Sequence, residues 1–526
     1  MGTPATGSDH RGDATSSVTA LVRRWARERA GSLALVDAAA PRTWTWRELS
    51  VDADRAAGLL AGLGVGPGAV VAIQLPNRGE AVVAALATLR LGAACCMLDP
   101  RQGPREVRQA LRRAGALALV VTDEGRERLY GPAAVPVPGA VVAARLDAAG
   151  GDLAWRPMAD VGPAPPVDSG RPDLYGQLAF TSGTTGEAKC VLHRVATLTT
   201  AVRLAAARLR LTEADRVFVP CPLAHHSGFL YGTWLAWTLG CTQVVQGAWD
   251  VGRALATMRR WEPTFAQLAT PMAVDLADAI EAGEAPPPPL RACVLTGGPV
   301  PARLARRSSR ALRSPVCRAW GSTETCMGTL SEPDAPPSLR CGTDGQPLDG
   351  VRVRITDNRG RQIGPRQMGG LEVDGTCLFP GYGLGPDFDR SRFTADGWYR
   401  TGDLAVRDEA GFLRVIGRAA DVVNRGGEKL PVAEIEALLA EHEAVAEVAI
   451  TGLRDRRLGE RACAFVVPGP GRRLGLADLQ RYLDRRGVTR WYWPERLEVV
   501  ERLPRNGAGK VEKALLRQSV ETADAR

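Results

Sequence analysis

Leu174-Tyr-Gly-Gln-Leu-Ala-Phe180-Thr-Ser-Gly-Thr-Thr-Gly186-Glu-Ala-Lys189 passes from an apolar run directly into a loop with four hydroxyl residues and two glycines in six positions. A lysine follows three residues past the second glycine. Leu174–Phe180 reads as a buried strand. The loop after it can turn successive backbone N–H groups and hydroxyls toward one anion, with Lys189 adding a compact positive charge. Its spacing differs from the Gly-x-x-x-x-Gly-Lys-(Ser/Thr) of a P-loop. A flexible Ser/Thr-rich turn has the same composition, so the weight of the motif rests on its neighbours.

Outward from this stretch the pattern repeats. Val70–Leu75, Leu117–Thr122, Arg216–Val219 and Ala292–Thr296 are short apolar runs bounded by Gly, Pro or Asp, and Glu80–Leu91 is an Ala- and Leu-rich helix. Strands separated by helical stretches predict an α/β fold with parallel-rich sheets flanked by helices. The Pro-rich segments 163–172 and 286–289 read as connectors. After Arg418 the texture changes to a helix at Ala433–His442, strands at Val445–Thr451, Cys463–Val467 and Leu497–Val500, and a helix near Leu476–Leu483. This predicts a small α+β C-terminal domain. A chain of 526 residues exceeds what one core usually supports. The expected division is a disordered leader 1–17, a large domain 18–417, a hinge 418–421 and a C-terminal domain 422–526.

With 45% hydrophobic and 24% charged residues the composition is that of a globular protein, which excludes disordered, collagen-like and disulfide-stapled classes. The net charge of +9 is a mild bias over this length, and no basic stripe with interleaved aromatics suggests nucleic acid. Eleven scattered cysteines form no C-x-x-C pair and lie beside no His at ligand spacing, so neither disulfides nor a structural zinc site is expected and a reducing cytoplasm fits. The N-terminus has no apolar signal core, and the longest apolar stretch, near Ala81–Leu89, ends at Arg90. A soluble protein with no membrane partner is expected. Lysine occurs only at Lys189, Lys429, Lys510 and Lys513, so 63 of the 67 basic residues are arginine. A chain that otherwise writes arginine draws attention to those four positions.

Thr181–Lys189 resembles the phosphate loop of the adenylate-forming superfamily of acyl-CoA synthetases, aryl-acid ligases, peptide-synthetase adenylation domains and luciferases. Further motifs of that superfamily follow in order: 90–100, 222–228, 318–324, 398–403, 417–429 and 504–510. The resemblance spans nearly the whole chain. It implies ATP and Mg²⁺, with Thr181, Ser182, Gly183, Thr184, Thr185, Gly186 and Lys189 on phosphate. Gly297, Gly298 and Pro299 would border adenine, Trp320 would stack on it, and Gly321 would belong to the same stretch. Thr323 would contact phosphate, and Glu324 would hold the metal, a hard ion that takes oxygen ligands. Asp403 would take the ribose hydroxyls with Arg418 in support. Lys510, on a glycine-flanked loop, would bridge the attacking carboxylate and the α-phosphate.

His225 and His226, two of five histidines, fall where the resemblance puts the acyl pocket, with Phe229 and Tyr231 helping to line it; His225 also joins Lys510, Thr323 and Glu324 among the expected catalytic residues. Amino-acid-activating relatives have Asp at the His226 position, and imidazole cannot supply that fixed negative charge. A carboxylic acid without an α-amino group is therefore expected. Three positions depart from the pattern: Ala188 stands for Pro, Cys190 for Gly, and Ala420 for the usual Asp or Lys hinge residue. The implied activity is ATP-dependent acyl-adenylate formation followed by transfer to a thiol, in the manner of medium-chain or cyclic acyl-CoA ligases. Coenzyme A is the first choice of acceptor, and a carrier-protein phosphopantetheine is the alternative. More distant alternatives are activation of a non-carboxylate oxyanion such as nitrite, and non-catalytic nucleotide binding.

Overall fold

The computed structural model describes residues 17–40, 42–130, 141–145, 156–157, 171–181, 189–298, 300–385, 388–419, 423–425, 428–430, 432–505 and 511–524. Ser17, assigned above to the leader, is the first of them. Its hydroxyl accepts from the Ala20 amide at 3.2 Å and so caps the helix Val18–Glu28.

Two sheets organise the large N-terminal part. Among the described residues the first has seven strands. Its centre is a parallel set, Ala118–Thr122, Val70–Gln74, Ala94–Met97 and Tyr175–Phe180, and Cys190–Arg194 is antiparallel at one edge. The second has nine, with Thr242–Val245, Arg216–Val219, Phe265–Ala269, Ala292–Thr296 and Val316–Ser322 parallel at its centre. Cys326–Leu330 turns back antiparallel beside the last of these. At the other side Leu33–Asp37, from the start of the chain, pairs in parallel with Thr242–Val245.

Strand alternation decides which core each side chain enters. Val71, Ile73, Cys95, Ala118, Val120, Val217, Val219, Ala292 and Val294 share one large cluster, while Val70, Ala72, Leu119 and Phe218 face smaller ones on the outer sides. The large cluster also takes in residues of the helices Trp46–Gly62, Gly79–Arg90 and Val195–Leu209, which therefore form a layer between the two sheets. Gly79–Arg90 is apolar almost all round because no face of it meets water. Its terminal Arg90, fully buried, is held by Asp54 at 2.7 Å and by the Ser50 carbonyl and hydroxyl.

A four-stranded antiparallel sheet, Val351–Thr356, Gly369–Gly375, Tyr399–Arg407 and Leu413–Arg418, follows. Beyond it the long hairpin Val445–Asp455 and Gly459–Pro468, with Arg496–Val499 in parallel, carries a small core on each face. Both hairpin strands extend past the apolar runs that announced them, their ladder running on to the pair Asp455 and Gly459. Ala420 and Asp421, the expected pivot, lie outside the described residues.

Candidate active site

The expected site residues come from loops at the carboxyl ends of parallel strands: Thr181 after Tyr175–Phe180, His225 and His226 after Arg216–Val219, Gly297 and Gly298 after Ala292–Thr296, and Trp320–Glu324 at the end of Val316–Ser322. Crevices outside the carboxyl ends of strands are where open α/β sheets bind ligands. Ser182, Gly183, Thr184, Thr185, Gly186, Ala188, Pro299 and Lys510 lie outside the described residues.

Backbone crowding explains the glycines. Gly321 lies against the Cys326 carbonyl, which a Cβ would meet at 2.1 Å, so only glycine lets the hairpin close. Gly228 lies as tightly on the Pro222 carbonyl, at 2.3 Å, and this fixes the turn that carries the two histidines. Asn77 braces the same turn, donating to the Cys221 carbonyl and accepting from the Leu223 amide. Gly297 has φ of +92°, with open space beside it and Gly298, so a flat ring could lie against this backbone.

Trp320 is buried, and its indole N–H donates to Asp403 at 3.0 Å; the other oxygen of that carboxylate meets Arg418 Nε at 2.9 Å. Asp403 and Arg418 are direct partners in the antiparallel ladder. Arg418 also donates to the Thr401 carbonyl. The strand bearing Trp320 is anchored by a buried pair, Arg318 to Asp344 at 2.6 Å, and Asp344 further accepts from the Val415 amide.

Glu324, partly exposed, accepts from the Tyr382 hydroxyl at 2.8 Å, and the Tyr382 and Tyr399 hydroxyls are 2.8 Å apart. Burial, reinforced by the Glu324 charge, pushes both phenols above their ordinary range and keeps them protonated as donors. The Lys189 ammonium stands over the Tyr382 ring, 4.7 Å from its centre. The Thr181 amide donates to the Lys189 carbonyl, so the two ends of the hydroxyl-rich loop are paired. One tyrosine therefore links Lys189 to Glu324 across the gap between the sheets.

His225 is partly exposed and lies within electrostatic reach of Asp99. His226 is buried; its Nδ1 is 2.7 Å from Gln177 Oε1 and its ring stacks on His193 at 4.9 Å. Burial, with His193 beside it, pushes His226 well below the usual imidazole range. His193 Nε2 meets the Thr323 carbonyl at 2.5 Å. Phe229 packs edge-on against Trp234 and Trp237 and is buried in the central core. Tyr231 is likewise buried, its oxygen accepting from the Met327 amide. Both belong to the helical segment Phe229–Trp234, every residue of which is buried.

Tyr382, His193, Gln177 and Cys326 escaped the sequence reading. Gln177 and His193 lie on the strands either side of the hydroxyl-rich loop, outside the motif itself, and partners far along the chain give them their setting.

The AMP-binding enzyme family model matches residues 22–383, and the model for the AMP-binding enzyme C-terminal domain matches 434–510. The chain is 29% identical to the medium-chain fatty-acid–CoA ligase of Escherichia coli, over 91% of this chain and 86% of that protein. It is 34% identical to the salicyl-AMP ligase / salicyl-S-ArCP synthetase of Mycobacterium tuberculosis, over 90% and 85%. Among solved structures, ATP-bound MatB from Rhodopseudomonas palustris aligns over 96% of this chain and 99% of its own, with a TM-score of 0.83 at 26% identity.

Proposed function

The chain belongs to the AMP-binding enzyme family, and from that premise we propose how its residues divide the work of an AMP-forming acid–thiol ligase. In the first half-reaction a carboxylate oxygen of the acid attacks the α-phosphorus of ATP and pyrophosphate leaves, giving an acyl-adenylate. In the second a thiol sulfur attacks the acyl carbon and AMP leaves. Little covalent chemistry falls to the protein, so positioning and charge neutralisation carry the rate.

The observation that carries this reading is the convergence of two linked groups at the strand ends: Trp320 with Asp403 and Arg418, and Glu324 with Tyr382 and Lys189. The first suits a nucleoside. Gly297, Gly298 and Trp320 offer flat surfaces to adenine, and Asp403, oriented from two sides, presents acceptors to ribose hydroxyls. The second suits the phosphates. Lys189 and Thr323 face negative charge, and Glu324 is the hard oxygen donor that would hold Mg²⁺. The ion, when bound, supplies charge neutralisation on the phosphate oxygens. The two phenols beside Glu324 fix the direction of its carboxylate. Lys510 completes the set as the ammonium between acid and α-phosphate.

His225 and His226 lie on the acid's side. A neutral buried imidazole offers no counter-charge to an ammonium, which supports an acid without an α-amine. Coenzyme A is the proposed acceptor. The carrier-protein alternative is supported by the relative named as a salicyl-S-ArCP synthetase. All eleven cysteines are free and buried, in keeping with a reducing cytoplasm, and no described helix is long and apolar enough to cross a membrane. Pyrophosphate release measured over a panel of acids, each with and without coenzyme A, tests the reading. Release with no acid in the panel would overturn it.

A further inference from the structure

His193, His226 and Cys326 are separated by long stretches of chain, yet the fold brings them together in the interior. His193 sits on the strand Cys190–Arg194, His226 opens the short helical turn after Arg216–Val219, and Cys326 begins the strand Cys326–Leu330. One ligand-type atom from each lies within 4.8 Å of the others, and all three residues are buried.

The hydrogen bonds set the tautomers. His193 Nε2 faces the Thr323 carbonyl, which can only accept, so Nε2 carries the proton and Nδ1 is a bare lone pair. His226 Nδ1 faces Gln177 Oε1, again an acceptor, so Nε2 is bare. Both bare nitrogens are buried without a hydrogen-bond partner. The Cys326 thiol has one proton and can satisfy at most one of them. Leaving a buried acceptor unmatched is unfavourable, and here two converge on a sulfur. Imidazoles whose outer N–H is tied to a carbonyl, with the inner nitrogen free, are the arrangement metal-bound histidines adopt.

We propose that His193 Nδ1, His226 Nε2 and Cys326 Sγ form a binding site for a zinc-class ion. Two imidazoles and a thiolate are zinc's preferred donors, at about 2.0–2.1 Å for nitrogen and 2.3 Å for sulfur. Binding draws the three atoms inward by up to roughly 1 Å from their present spacing. The thiol proton leaves to solvent as the metal–sulfur bond forms, so uptake releases one H⁺. Three protein ligands leave a fourth position for water or another small donor. Because His193 also holds the Thr323 carbonyl, an ion here fastens the turn that carries Thr323 and Glu324. The site shares His226 with the proposed acid pocket, so it is tested by metal retention and spectroscopy and not by ligase activity.

Chelator-treated full-length protein, incubated with Zn²⁺ and then dialysed, should retain one zinc per chain by elemental mass spectrometry. Cys326→Ser and His193→Gln should each weaken retention by more than tenfold. Cobalt(II) in place of zinc should give a thiolate-to-cobalt charge-transfer band in the wild type that Cys326→Ser abolishes. Should a variant fail to fold, wild-type protein alone decides: zinc should protect Cys326 from alkylation in peptide mapping more than any of the other ten cysteines. No cobalt–thiolate band, zinc retention unchanged in both variants, or protection elsewhere than Cys326 would each overturn the proposal, and the orphan lone pairs would then belong to water or to the acid.

Discussion

The Trp320 indole donates to the Asp403 carboxylate across 83 residues of chain, tying the last parallel strand of the nine-stranded sheet to the small antiparallel sheet. Asp403 is thereby held from one side by a neutral donor and from the other by Arg418. Trp320→Phe keeps an aromatic face and removes only the N–H. A hydrogen bond to a charged group contributes about 1.5–3 kcal/mol. The KM for ATP in acid-saturated pyrophosphate release should therefore rise about tenfold or more, with kcat changed far less. An unaltered KM would separate Asp403 from nucleotide binding.

Glu324→Gln keeps the shape and the Tyr382 hydrogen bond but discards the charge. Adenylation should fall by about 10²–10³, as when one preorganised electrostatic group is lost. A steeper magnesium requirement in initial-rate titrations should accompany it. A variant with wild-type magnesium dependence would remove Glu324 from metal binding.

Lys510→Ala should likewise cut acyl-adenylate formation by about 10²–10³. Thioester formation from supplied acyl-adenylate should largely survive if the C-terminal domain alternates between two placements. Rapid-quench assays of each half-reaction distinguish the outcomes, and equal loss in both would argue against alternation.

Acids without an α-amine should drive ATP–pyrophosphate exchange far better than standard amino acids. The substitution His226→Asp introduces a buried carboxylate beside His193 and should not convert the enzyme to amino acids by itself, because Gln177 and His193 remain as its neighbours. Robust exchange with an amino acid in the wild type would overturn the assignment.

Asp215 offers a stability test away from the site. Burial would raise its carboxyl, but a forked contact from Arg291 at 2.6 and 2.7 Å, with donors from Thr264 and Thr212, holds it below the usual range. The unfolded chain then takes up a proton at higher pH than the folded one. This stabilisation is complete above the ordinary carboxylate pKa and is lost as pH falls through the lowered one. Asp215→Asn should cost about 2 kcal/mol at neutral pH. It should also flatten the acid limb of a urea-melting pH profile below about pH 4.

Periodicity made the parallel strands legible, down to the bounds Arg216–Val219 and Ala292–Thr296. The family resemblance singled out Trp320, Glu324, Asp403 and Arg418, because each sits in a short run of distinctive residues. Tyr382 and the His193–His226–Cys326 group were illegible for the opposite reason. Their meaning lies in pairings between elements far apart in the chain, where a strand histidine looks like any other buried residue.

The pairing of Leu33–Asp37 with Thr242–Val245 has a consequence for birth on the ribosome. The first strand emerges about 200 residues before its partner, which at ordinary synthesis rates is a wait of roughly 10–40 s. Throughout that interval Leu35 and Val36, both buried in the finished protein, have only the short neighbouring strand Arg42–Thr45 to pair with. The seven-stranded sheet can close as its last strand appears, whereas the opening segment must be kept from self-association until the far side of the molecule is made. Nascent chains arrested between those two points should therefore be the ones that most need a chaperone.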